Sequence, residues 1–161
     1  MDSQIKKAKE VIEKIIYITI ATSSKDGMPW NSPVFAAFDE HYNFFWKSGK
    51  DSQHSQNIQE NNNIFIVIYD ATVPWGKGEG VYIQAKAFEL TDEQEIADAL
   101  AYHNKRVGKD LWESEEFTGE NPRRVYKAVP EKVWMNKDSE ENGKFVDIRQ
   151  EIALESLINS F

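Results

Sequence analysis

The sequence predicts a mainly β protein, an antiparallel barrel with peripheral α-helices, and three observations carry that prediction. Short apolar runs recur along most of the chain, each about the length of one strand. Turn residues separate them at close intervals, as at Lys25-Asp26-Gly27 and Asn61-Asn62-Asn63. Few stretches carry helical periodicity. Short, evenly spaced strands with few helices favour an antiparallel barrel over alternating β–α units.

Taken in order, Ile5, Ala8, Ile12 and Ile15 recur at helical spacing and predict an amphipathic first helix. From Ile15 to Thr22 the chain turns β-rich, and the Lys25-Asp26-Gly27 turn leads into a strand from Trp30 to Phe38. A turn over Asp39–Asn43 precedes the aromatic strand Phe44–Lys47. Ser52 is a good N-cap, so a short helix is expected from there to the Asn-rich turn. Strands follow at Ile64–Tyr69 and Val81–Leu90. Thr91 or Asp92 then caps a helix with Ile96, Ala97, Leu100 and Ala101 on one face. Arg106 to Pro122 reads as a polar loop or short helices. Val129–Met135 and Lys144–Ile148 read as strands around a turn at 138–143, and Glu151–Ile158 as a terminal helix.

The 161 residues fit one domain, residues 1–161, long enough to bury roughly two-thirds of the unfolded surface. Nineteen basic residues against 27 acidic ones give a net charge of −8. That balance argues against a nucleic-acid partner, because phosphate backbones are gripped by an excess of Lys and Arg. It leaves room for a local pocket holding one phosphate. Cysteine is absent, so thiolate metal sites and disulfides are excluded, and a reducing cytoplasm is the expected location. No uninterrupted apolar segment predicts a signal peptide or a membrane span.

The most informative stretch is Asp51-Ser-Gln-His-Ser-Gln-Asn-Ile58, between the aromatic strand and the next apolar run. A helix starting at Ser52 presents unpaired backbone N–H groups and the positive end of its dipole. With the Ser52 hydroxyl, the His54 imidazole and charge from Lys47 and Lys50, these donors make a phosphate seat. The same residues also fit a plain surface helix joining two strands.

Other chemistry is set aside. His41, His54 and His103 are far apart, with no pair at helical metal-binding spacing, so no metal site is expected. Gly76-Lys77-Gly78-Glu79-Gly80 lacks the Gly-Lys-Ser/Thr that opens the helix of a phosphate loop. Its glycines suit a tight connection or a close approach of backbone to a flat ligand. Glu113, Glu115 and Glu116 read as a solvated face. No Gly-x-Ser-x-Gly elbow is present. Of Trp30, Trp46, Trp75, Trp112 and Trp134, most are expected in the core. A minority near the Ser52 helix would enclose a planar ring, which suits flavin mononucleotide (FMN) or another nucleotide.

The order of Gly turn, Pro-Trp-Asn-Ser-Pro-Val-Phe strand, aromatic strand and Ser-x-His-x-x-Asn-Ile resembles the FMN-binding split-barrel family related to pyridoxamine 5′-phosphate oxidase. The resemblance covers Ile15 to Leu90 well and continues more loosely to Arg149. In that family the aromatic strand and the following helix start hold the FMN phosphate, often through Ser-Arg-Lys. Ser52, Gln53 and His54 take those places, so an amide and an imidazole replace two cations. Trp46 and Lys47 lie on the matching aromatic strand, and Lys47 would restore part of the charge. Asn31, Ser32, Pro33 and Val34 match the strand that lies along the isoalloxazine ring.

Near the C-terminus the family carries a Trp and then an Arg-Leu-His-Asp-Arg motif, whose first Arg and His help hold the pyridoxyl substrate. The resemblance pairs Trp134 and Arg149 with the two FMN-contacting residues. Phe145 and Asp147 stand where the two substrate residues belong, and Gly80 where many members place a flavin-contacting Gln. The resemblance therefore implies an FMN-binding homodimer with flavin at the subunit interface, without efficient pyridoxamine-phosphate oxidase activity. It implies hydride exchange at flavin N5 with a small organic substrate. The alternatives are a non-catalytic flavin or haem-related binding, storage or sensor protein, or a split barrel that uses the deazaflavin F420.

Overall fold

Strand alternation decides the architecture. In β1 (Tyr17–Ser23), Ile18, Ile20 and Thr22 are buried while the residues between them are not, the period-two signature of a sheet with one face on a core. A computed structural model, which describes residues 3–159, carries the same alternation through β4 (Asn63–Tyr69) and β5 (Gly80–Glu89), while β2 (Pro29–Phe38) and β3 (Phe44–Gly49) bury residues on both faces. β6 (Arg123–Glu141) and β7 (Lys144–Ile152) complete an antiparallel seven-stranded sheet in the order β3-β2-β1-β4-β5-β6-β7. A further β3–β6 pairing closes the first six strands into a barrel and leaves β7 outside it. The expected β-barrel with peripheral helices is the observed fold.

Closure depends on the length of β6. Its first part, Arg123–Ala128, pairs with β3, and Tyr126–Met135 pairs with β5. The sequence reading starts this strand only at Val129, because Arg123, Arg124 and Lys127 mask the buried Val125, Tyr126 and Ala128 between them. A register shift between Gln84 and Ala85, opposite Pro130, takes up the one segment where Pro removes a ladder donor.

Two apolar clusters lie on opposite faces of β3. Phe44 and Trp46 point into the barrel with Ile20, Ile66, Ile83 and Tyr126. Phe45 points outward with Val125 onto α3 (Glu93–Val107), which supplies Ile96, Ala99 and Leu100. The buried face of α3 thus runs through Ile96, Ala99, Leu100 and His103, and the expected Ala97 and Ala101 are exposed. Asp92 caps α3 by accepting from the backbone N–H groups of Gln94 and Glu95, and Gly108 ends it in the left-handed region.

α1 (Ser3–Lys14) covers one end of the barrel with Ile5, Ala8, Val11 and Ile12. α2 (Gln53–Glu60) follows β3 directly. α4 is shorter than expected, Leu154–Ile158, because β7 continues through Ile152. Among the described residues, no helix is long and apolar enough to cross a membrane.

Candidate functional site

Ser48 continues the inward alternation of Phe44 and Trp46, and this places its hydroxyl beneath the first turn of α2. The Ser48 Oγ lies 2.6 Å from Nε2 of His54, and the Ser52 Oγ lies 3.2 Å from the same nitrogen. The Ser52 hydroxyl also donates to Ser55 Oγ at 2.9 Å. Below this cluster, Asn57 Nδ2 donates to the Thr22 hydroxyl at 3.0 Å, and that hydroxyl donates to the Trp30 carbonyl. His54, Ser55, Asn57 and Thr22 are all buried. Burial lowers the pKa of His54 from its ordinary value, so at neutral pH it is an uncharged brace between two serines.

Ser52 occupies the N-cap position with extended backbone, as expected, yet its side chain caps nothing. With that hydroxyl turned to His54 and Ser55, the N–H groups of the first turn receive no side-chain acceptor from the cap. An uncapped helix start above a floor of hydroxyls can receive an anion through dipoles rather than formal charge. Gln53 is exposed at its edge, with its amide donating to Asn57 Oδ1 at 2.9 Å.

Lys47 is not brought to this cluster. It follows Phe45 on the outer face of β3, and its ammonium lies 2.9 Å from the centroid of the Trp112 ring. Trp46 is fully buried and stacks on Tyr126, and the Val34 side chain is likewise in the core. Asn31 and Pro33 are exposed on the outward face of β2, and Ser32 accepts a hydrogen bond from Trp30 Nε1.

That outward face continues across the sheet. The pairings Ala21–Asn31, Ala21–Phe65, Val67–Tyr82 and Tyr82–Trp134 put these side chains on one surface. Trp134 stacks on Phe65 with centroids 6.2 Å apart. Arg149 covers the Tyr82 ring at 4.3 Å and pairs with Asp147 at 2.7 Å. Here a cavity of about 470 Å³ is lined by Tyr69, Trp75, Tyr82, Phe145, Asp147 and Arg149, among others. The Gly-rich run forms one wall. A Cβ on Gly78 would collide with the Tyr69 ring, and one on Gly80 would lie 3.0 Å from the Tyr82 hydroxyl. The close approach that these glycines permit is thus to flat rings of the chain itself.

The two regions meet different stretches of β6. Ser48 pairs with Arg124 and Tyr82 with Trp134, ten residues further along β6. At about 3.3 Å per residue this is roughly 33 Å of chain along the twisted strand; across the sheet the two are nearer, since Trp134 stacks on Phe65, which pairs with Ala21 beside Thr22.

The family model for pyridoxamine 5′-phosphate oxidase matches residues 5–137. The chain belongs to this family. Solved structures with the pyridoxamine 5′-phosphate oxidase-like fold agree at low identity. A haem-binding protein from Mycobacterium smegmatis has a TM-score of 0.71 at 16% identity, over 99% of this chain and 61% of that one. HutZ, the haem storage protein of Vibrio cholerae, has a TM-score of 0.66 at 15% identity, over 78% of this chain and 89% of that one. An F420 reductase has a TM-score of 0.56 at 18% identity, over 78% of this chain and 94% of that one. No curated protein matches the chain.

Sequence reasoning missed Ser48, Ser55, Asn57 and Thr22. Ser48 was accessible through the two-residue period from Phe44 and Trp46. Ser55 and Asn57 required knowing that the inner face of α2 is polar. The cavity residues Tyr69, Trp75 and Tyr82 carried only a compositional signal, the excess of aromatics.

Proposed function

We propose that the protein is an FMN-binding homodimer, an oxidoreductase that presents its flavin to a small organic substrate. The observation that carries this reading is the uncapped first turn of α2 over the Ser48–Ser52–His54–Ser55 cluster. It offers a phosphate the N–H groups of the first turn, and the serine hydroxyls now bonded to His54 and Ser55 lie close enough to turn to it. The flavin, once bound, supplies hydride exchange at its N5.

The chain's own residues bind and orient. Ser52 and the first turn of α2 hold the phosphate, His54 fixes the hydroxyls, and Asn31 and Pro33 offer exposed strand surface to the ring. Trp134 and Arg149 lie on the outer face with Tyr82, whereas Ser48 faces inward beneath α2, which supports a shared site with the C-terminal residues facing the partner's α2. A second chain would also cover the aromatic outer face, on which Tyr17 is 60% and Tyr69 48% exposed. Phe145 and Asp147 give a phosphorylated pyridoxyl substrate no cation, and Arg149 is engaged by Asp147. The absence of cysteine and the acidic balance fit a cytoplasmic protein with no nucleic-acid partner.

The names of the similar structures make haem and F420 the alternatives, and absorbance separates them. The purified protein, or protein reconstituted with FMN, is expected to show flavin bands at one FMN per chain. A Soret band with haem, or failure to take up FMN while binding F420, would overturn the proposal. Anaerobic bleaching of the flavin by NADH or NADPH would then distinguish an oxidoreductase from a store.

A further inference from the structure

Trp75 is 100% exposed, yet the loop that carries it between β4 and β5 is fastened at both feet. At the β4 end, Asp70 is buried and accepts from the Thr72 backbone N–H at 2.9 Å and the Thr72 hydroxyl at 2.6 Å. Lys14 of α1 donates to the same carboxylate at 2.5 Å. At the β5 end, Lys7 of α1 pairs with Glu79. Asn136 of β6 accepts from the Gly80 N–H at 2.6 Å and donates to the Gly78 carbonyl at 3.1 Å. Between these anchors the Lys77 N–H donates to the Pro74 carbonyl at 3.1 Å, which folds the tip into a tight turn. The indole is held out by its loop, not left out by slack in it.

Trp75 lines the 470 Å³ cavity together with Tyr69, Tyr82 and Phe145. Phe145 is 70% exposed and Tyr69 also counts among the exposed side chains. A single exposed aromatic is ordinary, but several around one concavity mark a binding site.

The chemistry of the cavity selects its ligand. Its walls are flat rings, which the glycines let lie close against the backbone. Its charged and amide groups are already engaged. Arg149 is bonded to Asp147 at 2.7 Å and covers the Tyr82 ring at 4.3 Å. Both ends of the Asn136 amide are spent on the loop. A carboxylate or phosphate finds no unspent cation there, and an incoming cation meets a guanidinium already on the Tyr82 face. An uncharged planar ring stacks on the walls and asks for no charge.

We propose that this cavity is the substrate subsite, that it takes an uncharged planar conjugated ring against Trp75 and Phe145, and that Asp147 sets this preference by neutralising Arg149. Naming the ring a substrate rests on the flavin reading; its binding does not.

The test is isothermal titration calorimetry on the full chain, both flavin-free and loaded with FMN. The probes are coumarin, an uncharged planar bicycle, its anionic relative coumarin-3-carboxylate, and the cation N-methylquinolinium. Coumarin should bind saturably in both forms of the protein, about tenfold more tightly than either charged probe. Trp75→Ala should weaken coumarin binding about tenfold, and Trp75→Phe, which keeps a ring, less than about threefold. Asp147→Asn releases Arg149 and should tighten binding of coumarin-3-carboxylate about fivefold or more. Preference for a charged probe, or coumarin affinity unchanged in Trp75→Ala, would overturn the proposal. Loss of coumarin binding on FMN loading would overturn it too, since the cavity then seats the flavin itself. So would a wild type that binds no probe, and a Trp75→Ala protein with a shifted monomer–dimer equilibrium would then show that a second chain covers the indole. Coumarin binding at Trp75 in a protein that takes up no FMN would sink the flavin reading and leave the ring site standing.

Discussion

At the scale of single residues, the decisive ones are those whose environment reverses their ordinary chemistry. His54 looks, in the sequence, like a protonatable substitute for a phosphate-binding Lys. Burial makes it neutral and the two serines occupy Nε2, so it holds hydroxyls instead of charge. FMN affinity should therefore depend little on salt, changing less than about threefold across the range where exposed charges are screened. His54→Ala should weaken FMN binding roughly tenfold by freeing Ser48 and Ser52, and equilibrium dialysis of the variant checks both. His103 gives a separate prediction. Its pKa falls from 6.5 to about 3 on folding, so the unfolded chain takes up a proton first as pH drops. Its contribution is complete above pH 6.5 and declines between 6.5 and about 3, by up to about 1.4 kcal/mol per pH unit. Urea midpoints measured from pH 7 to 4 should fall less steeply in His103→Leu.

At the scale of elements, α2 and β3 explain why the site was only partly legible in the sequence. The strand, the cap position and the helix were all readable from Phe44 to Ile58. Which face each residue takes was readable too, because a strand alternates strictly. Applied to β3, that rule separates Lys47 from Ser48 and moves the Lys away from the phosphate seat. What the pattern hides is the direction of a short polar side chain. Ser52 satisfies every rule for a capping residue and still bonds to its neighbours. The glycine run was legible as a close approach, but its partners, Tyr69 and Tyr82, are set by strand register that no local signal carries. Gly78→Ala should thus destabilise the fold by about 1–3 kcal/mol through overpacking against Tyr69. Combining it with Tyr69→Ala should cost less than the sum of the two single changes, and denaturant titration of the four proteins measures this.

At the scale of the whole molecule, barrel closure through β6 puts the α2 cluster and the Trp134–Arg149 region against different stretches of one strand. Two chains would bring them together. Arg149→Ala and His54→Ala, each weak in FMN binding alone, should then recover up to half of the sites in isolated heterodimers, since both lesions fall in one site. Failure to recover flavin in folded heterodimers would contradict the shared site. The same geometry predicts turnover with pyridoxine phosphate far below about 1 per second, the lower end of the usual enzyme range, because Phe145 and Asp147 offer its phosphate no donor at neutral pH.

The central claim is that the first turn of α2 holds the phosphate of FMN, and the most direct measurement compares FMN with riboflavin, which lacks that phosphate. Each hydrogen bond to a charged group is worth about 1.5–3 kcal/mol. The account predicts that FMN binds the purified protein at least tenfold more tightly than riboflavin, with most of that preference lost in Ser52→Ala. Equal affinities for the two flavins, or a preference unchanged in Ser52→Ala, would contradict it.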